Sequence, residues 1–219
     1  MDFAQARHNM VEQQIRPWDV LEFELLDVLS EIPREHFVLP EHQAVAYADQ
    51  ALPLANGHAM PEPRIVAKMI QALEIKKTDR ILEIGTGSGY ATAVLSRMGQ
   101  SVLSLDLDAE QQARAQAALA KVGSTNVQLN VANGLKALAN IGTFDVIYVG
   151  GGVADVPAEL LHILNEGGRL VVVLGQKRLM HATLIRRKGN EYPREMLFET
   201  SVPALIEEIY TFLRQADEK

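Results

Sequence analysis

Three glycines spaced two apart, Gly85, Gly87 and Gly89, carry the clearest chemical signal in the chain. They follow the strand-like run Arg80-Ile-Leu-Glu-Ile84 and precede a helix-forming segment. A strand that turns sharply into a helix needs glycine where φ is positive or where a ligand touches backbone. The helix start beyond it offers unpaired N–H groups and a partial positive charge. The run is therefore expected to form a nucleotide-type cofactor site at the tip of a first β-strand. Spacing narrows the choice of nucleotide. A dinucleotide fingerprint, G-x-G-x-x-G, requires its third glycine at position 90, which is Tyr90. A P-loop requires Gly-Lys-Ser/Thr, and no lysine occurs between Lys77 and Lys121. An acidic residue is expected at the end of the second strand, where a carboxylate accepts from ribose hydroxyls. Asp106 closes the run Ser101-Val-Leu-Ser-Leu105, 21 residues after Gly85.

The remaining pattern, E-x-G-x-G-x-G from Glu83 to Gly89, resembles the cofactor loop of S-adenosylmethionine-dependent methyltransferases. The elements that must position it follow from periodicity. From Arg80 onward strands at 80–84, 101–106, 127–131, 144–149 and 169–174 alternate with helices at 89–98, 109–122, near 134–140 and 157–164. Gly123 is placed to cap the second of these helices. Such alternation implies a doubly wound, Rossmann-like α/β fold with a mostly parallel seven-stranded sheet. Segments 181–187 and 195–201, joined by the turn Lys188-Gly-Asn190, are expected to close it as an antiparallel hairpin at one edge.

The first 79 residues read differently, as a helical extension packed on the 80–214 domain and covering its cofactor mouth. Apolar residues recur at helical spacing over 3–15 and again over 20–32, where Asp19 and Glu22 have the form of a capping box. The segment 34–54 is irregular, with room for a short strand, and Pro61 and Pro63 suit the entry of a helix through 65–73. Residues 215–219 are expected to form a flexible tail.

Composition removes several classes of function. The chain has 219 residues and a formal charge of −7, which disfavours nucleic acid as a partner. Its densest basic cluster, Lys177-Arg178 with Arg186-Arg187-Lys188, reads as solvated edge protection. No apolar run is long enough to cross a membrane, and no secretory signal opens the chain. Zero cysteines removes disulfides and thiolate chemistry and fits a cytoplasmic location. No metal site is expected, because His8, His36, His42, His162 and His181 lack ligand spacing. Trp18 reads as a packing anchor. The sequence does not determine an oligomeric state.

With these elements in place a wider resemblance becomes visible. The chain resembles the protein-L-isoaspartate (D-aspartate) O-methyltransferases, which methylate the free carboxylate at damaged aspartyl and asparaginyl sites. The matching stretches are Met10-Val-Glu-Gln-Gln-Ile-Arg16, Ile32-Pro-Arg-Glu-His-Phe-Val38, Ala46-Tyr-Ala-Asp49, Leu52-Pro-Leu54, Leu82 to Tyr90, Phe144-Asp-Val-Ile147 and Leu164-Asn-Glu-Gly-Gly-Arg-Leu170. The resemblance implies S-adenosyl-L-methionine as cofactor and proteins or peptides bearing isoaspartyl residues as partners, in a protein-repair role. It implies that Gly85, Thr86, Gly87, Ser88 and Gly89 bring backbone against the methionine part of the cofactor. Glu83 would order that loop, and Asp106, with Leu107 beside it, would hold the ribose. The family's Asp-Gly after the third strand is here Asn133-Gly134, whose amide carbonyl can still accept from the adenine amino group.

On the acceptor side the chain departs from the family. The family loop Gly-Gln-Thr-Ile-Ser-Gln-Pro is here Gly57-His-Ala-Met-Pro-Glu-Pro63, so Ala59 and Pro61 stand where hydroxyls are expected. His58, Ala59, Met60, Pro61 and Glu62 are the acceptor-loop candidates, with no catalytic residue assigned among them. His58 reads either as a base or as a loop histidine bonded to backbone. Glu62 would repel an anionic acceptor unless Arg64 pairs with one of the two carboxylates. Gly150-Gly-Gly152 replaces the family's Thr/Ser-Ala-Ala type sequence and lacks the Asp/Asn-Pro-Pro-aromatic motif of nucleic-acid amino-methyltransferases. A carboxylate acceptor, ordinarily ionised above about pH 4, needs positioning and no general base. Three readings stay open: isoaspartyl methylation, methylation of another small-molecule or protein acceptor, and cofactor binding without catalysis.

Overall fold

The computed structural model describes residues 2–136, 138–176 and 179–205. Its centre is a seven-stranded sheet of β3 (Arg80–Ile84), β4 (Ser101–Asp106), β5 (Val127–Val131), β6 (Phe144–Val153), β7 (Leu164–Gln176), β8 (Leu179–Arg186) and β9 (Arg194–Glu199). Two earlier strands, β1 (Leu52–Pro53) and β2 (Ala59–Met60), form a separate antiparallel hairpin. The sheet order is β5-β4-β3-β6-β7-β8-β9. Strands β3 to β7 pair in parallel, while β8 runs antiparallel to both β7 and β9. The chain leaves β3 toward β4 on one side and returns to β6 on the other. The crevice where the order reverses is where open α/β sheets bind ligands.

Helices α4 (Tyr90–Met98) and α5 (Ala109–Lys121) follow the first two sheet strands, and α6 (Ala158–His162) precedes β7. Residues 134–136 and 139–140 form turns, not the short helix the sequence pattern suggests. Asn133 opens the first of these turns, its side-chain oxygen accepting from the Leu135 N–H (3.0 Å). Strand β6 runs four residues past its expected end because residues 202–205 pass beside it. The Gly152 N–H donates to the Pro203 carbonyl (2.9 Å), and the Leu205 N–H donates to the Gly152 carbonyl (3.0 Å).

Alternation along the strands divides the interior in two. Ile81, Val146 and Val171 join one cluster, whereas Leu82, Ile147 and Leu170 join the cluster on the opposite face. The first cluster also takes in the N-terminal segment. That segment holds α1 (Phe3–Asn9), a π-helical turn Met10–Ile15, a 3₁₀ turn Arg16–Trp18, α2 (Phe23–Glu31) and α3 (Pro63–Ala72). Helix α2 begins three residues later than the capping-box pattern suggests. Asp19 is left-handed (φ 63°) and ends the preceding turn, and Glu22 is the cap, accepting from the Glu24 and Leu25 N–H groups. Arg169 on β7 fastens the same segment to the sheet. It is 6% exposed, donates to the Leu73 and Glu74 carbonyls (both 2.8 Å), and pairs with Asp79 (2.6 Å). Arg186 pairs with Glu74, and Arg187 donates to the Leu164 carbonyl, so these two members of the basic cluster serve the sheet surface. Lys177, Arg178, the stretch 206–214 and the expected tail 215–219 lie outside the described residues. No helix among the described residues is long and apolar enough to cross a membrane.

Candidate active site

At the C-terminal ends of β3, β4 and β6 lies a cleft of about 670 Å³, open to solvent. Its floor is backbone. Gly85 and Gly87 line it with φ of 87° and 52°, in the region that glycine enters without strain. Gly150 and Gly151 of β6 complete the floor. A Cβ at Gly150 would lie 2.8 Å from the Gly85 carbonyl oxygen, so only glycine lets these two segments touch. Gly89 serves a different purpose. It lines no cleft, and a Cβ there would meet the Ala115 Cβ at 3.1 Å, so it sets the close approach of α4 to α5.

Asp106 holds this loop from the end of β4. One carboxylate oxygen accepts from the Gly87 N–H (3.0 Å) and the other from the Asp108 N–H (3.1 Å). Gln111 on α5 donates to the Gly87 carbonyl (2.8 Å), so both polar groups of that peptide are fixed. The far wall is apolar, formed by Leu105, Leu107, Ala132 and Leu135, with Asn133 and Gly134 at its edge. A Cβ at Gly134 would fall 2.5 Å from Ile84, which requires glycine there. Among the described residues Asp106 is the one carboxylate lining the cleft, and no Lys or Arg lines it. A pyrophosphate would meet a carboxylate with no cation; a sulfonium and a ribose are suited to it.

Glu83 lies beneath the loop and is fully buried. Its Oε2 accepts from Ser104 (2.5 Å) and Thr92 (2.6 Å), Thr86 and Ser104 are 2.6 Å apart, and Gln112 donates to Thr86 (3.0 Å). A chain of side chains thus links Glu83 to the glycine loop through Ser104 and Thr86. The other oxygen, Oε1, has no hydrogen-bond partner. Burial raises the Glu83 carboxyl to about 7, against the lowering effect of the Ser104 and Thr92 hydroxyls.

The β1–β2 hairpin covers the cleft from the N-terminal side. Gly57 takes φ 82° at its tip, where the Leu54 N–H donates to the His58 carbonyl (2.7 Å). Leu54, Asn56, His58 and Ala59 line the cleft from this hairpin. The His58 backbone N–H donates to the Asn56 side-chain oxygen (3.2 Å). Across the mouth stands Asp108, capping α5. Its carboxyl is held below the ordinary range chiefly by the Gln111 N–H, with smaller contributions from Asn56 and His58.

A smaller lobe of about 390 Å³ opens off the cleft and shares Leu54, Ala59, Gly85, Gly87 and Gly150 with it. Met60, Pro61, Thr86, Ser88, Tyr90 and Tyr148 also line this lobe. Ala59 and Pro61, the positions of the missing hydroxyls, therefore sit where an acceptor would approach. Glu62 lines neither cleft nor lobe and stands at the N-cap of α3 without a capping bond. Arg64 does not turn to Glu62. It pairs with Asp49, and its guanidinium lies 4.3 Å from the centre of the Trp18 ring. Trp18 is indeed a packing anchor, meeting Phe198 edge-on at 6.3 Å.

Behind the lobe lies Arg34, wholly buried, which donates to the Ala46 (2.8 Å) and Pro61 (3.1 Å) carbonyls and stacks 4.6 Å from the Tyr90 ring. Burial lowers its pKa, opposed by Tyr90, Tyr47 and Glu62. Among the described residues its Nη1 has no hydrogen-bond partner. A cation thus backs the smaller lobe, although no Lys or Arg among the described residues lines it.

The sequence does not single out Leu54, Asn56, Tyr148 or residues 203–205 as site residues, yet all line the cleft or its lobe. A signal for the last group exists in Gly150-Gly-Gly152. A Cβ at Gly151 would lie 2.7 Å from Leu205, so that glycine reports another segment in close approach.

Comparison with known proteins agrees with this geometry. The profile of the protein-L-isoaspartate(D-aspartate) O-methyltransferase family matches residues 5–202. The chain is 35% identical over 204 residues to the protein-L-isoaspartate O-methyltransferase of Koribacter versatilis, covering 93% of this chain and 92% of that one. It is 38% identical over 187 residues to the protein of the same name from Opitutus terrae, covering 85% and 80%. Among solved structures, a protein-L-isoaspartate O-methyltransferase superposes with a TM-score of 0.81 at 25% identity, over 97% of this chain and 69% of that one. A Plasmodium falciparum protein solved with S-adenosyl-L-homocysteine shares the fold, with a TM-score of 0.80 at 17% identity over 91% and 97%.

Proposed function

Because the chain belongs to the protein-L-isoaspartate(D-aspartate) O-methyltransferase family, we propose that it methylates the free carboxylate of isoaspartyl residues in proteins or peptides. S-adenosyl-L-methionine, when bound, supplies an electrophilic methyl group on a sulfonium. The observation that carries the reading is the cleft lining, which among the described residues is a glycine floor with one carboxylate and no Lys or Arg. Asp106 is assigned to the ribose hydroxyls, its orientation fixed by the Gly87 and Asp108 N–H groups. Gly85, Gly87, Gly150 and Gly151 admit the methionine portion against backbone. Leu107, Asn133 and Gly134 are assigned to border the adenine. Glu83 and Gly89 act at one remove, through Ser104 and Thr86 and through helix packing. Residues 1–79 are assigned the part of an extension that roofs the site of the 80–214 domain.

Transfer forms a C–O bond to the acceptor carboxylate while the C–S bond breaks and its electron pair stays on sulfur. No proton moves, so the reaction needs alignment and desolvation more than a base. The positive charge of Arg34 behind Pro61 and Tyr90 favours an anionic acceptor in the smaller lobe. A protein-repair role in the cytoplasm belongs to the same reading, supported by family membership and the absence of cysteine.

The test is incubation of the protein with S-adenosylmethionine and an isoaspartyl peptide, followed by release of methanol from the labile ester. Methanol above the level given by the matching aspartyl peptide is expected. Tight cofactor binding with no methanol would instead favour a different acceptor, the reading that the absent hydroxyls at Ala59 and Pro61 support.

A further inference from the structure

The smaller lobe lacks hydroxyls on its hairpin side, but a tyrosine lines it from the sheet. Tyr148 sits on β6 in register with Glu83 on β3, so both side chains stand on the same face of the sheet. Tyr148 is 2% exposed and lines the smaller lobe beside Ala59 and Pro61. No hydrogen bond to its hydroxyl is found among the described residues, whereas Ser104, Thr92 and Thr86 are engaged with one another or with Glu83. Its hydroxyl is also not among the unpaired side-chain oxygens sealed from solvent. Burial and the nearby Glu83 carboxyl raise its pKa, so it stays protonated and is a donor at neutral pH.

We infer that the Tyr148 hydroxyl donates a hydrogen bond to the acceptor carboxylate in the smaller lobe, replacing from the sheet the contact that Ala59 and Pro61 no longer make from the hairpin. The inference rests on the isoaspartyl reading above. A neutral donor suits this step. It orients one oxygen of an anion that needs no deprotonation, and as the ester forms the bond passes to a neutral carbonyl without proton transfer. The lobe's other hydroxyl-bearing side chains are less suited. Ser88 accepts from the Tyr90 N–H, and Thr86 is held by Ser104 and Gln112. The Tyr90 hydroxyl is shut away from solvent.

The experiment compares wild type with Tyr148→Phe, a change that keeps the ring in place. Affinity for an isoaspartyl peptide is measured by calorimetry on protein saturated with S-adenosylhomocysteine, alongside methanol release, cofactor affinity and thermal midpoint. The expected result is a tenfold or greater loss of peptide affinity and of kcat/KM, with cofactor affinity unchanged. Adding Ala59→Thr to Tyr148→Phe is expected to restore part of the loss, which a purely structural role for the phenol would not allow. Wild-type activity with Tyr148→Phe equally active overturns this inference and leaves the isoaspartyl reading standing. A wild type that binds cofactor but neither binds nor methylates the peptide overturns both.

Discussion

The two lobes of the site are built by opposite strategies. The larger is a backbone surface. Gly85, Gly87, Gly150 and Gly151 form its floor, and Asp106 and Gln111 clamp the Gly87 peptide from both sides. The smaller adds a side-chain surface formed by Ala59, Met60, Pro61 and Tyr148. A backbone floor has little freedom to vary, since a Cβ at Gly150 or Gly151 would strike neighbouring atoms within 3 Å. A side-chain wall can exchange one hydroxyl for another without moving a strand.

The sharpest way to break that contrast is Gly87→Val. A β-branched residue at φ 52° is strained, and its side chain would fill the cofactor cleft. Cofactor affinity measured by calorimetry should fall by at least about 100-fold, with the fold retained by circular dichroism. Unchanged affinity would remove the assignment of the floor. The acceptor side should respond in the other direction. Ala59→Thr with Pro61→Ser is expected to raise methanol release from isoaspartyl peptide by about tenfold, the value of one or two well-placed hydrogen bonds, at constant cofactor affinity. No gain in a folded, cofactor-bound double variant would mean that the lobe depends on other groups.

The smallest effect on the site is expected from Glu83→Gln, which alters the support beneath both lobes. The folded carboxyl titrates at about 7, above the ordinary 4.5, so between these values the folded state holds a proton that the unfolded chain has released. Stability contributed by this group is full below about pH 4.5 and is lost as pH rises toward and through 7. Urea unfolding across that range should show the decline in wild type, on the order of 1–3 kcal/mol, and a flatter profile in Glu83→Gln. Cofactor affinity should weaken by only about threefold, because the amide oxygen can still accept from Ser104 and Thr92. An equally steep profile in the variant would assign the pH dependence to another group.

The same contrast explains what the sequence made legible. The glycine run, Asp106 and the strand–helix alternation are local signals with fixed spacing, and the structure brings them together as expected. Signals that depend on partners distant in sequence were weaker. Arg64 meets Asp49 and Trp18, and neither pairing follows from periodicity. The capping pattern at Asp19 was satisfied on paper by two residues, but Glu22 alone can cap because Asp19 is already left-handed. Tyr148 was hidden inside a strand whose apolar character accounts for a tyrosine without reference to the cleft. The glycines at 150–152 were visible in the sequence, but the segment that needs them lies some 50 residues further along.

That segment has a consequence for how the protein is made. Residues 203–205 supply one wall of the cofactor cleft, whereas its floor begins at Gly85. Synthesis proceeds from the N-terminus, so β3, β4 and the glycine loop can assemble well before their covering wall exists. The nascent chain therefore carries a half-built pocket through the addition of more than 100 residues. The cleft is complete only when Leu205 has been added and packs against Gly85 and Gly151. A ligand held there touches segments more than 100 residues apart in the chain.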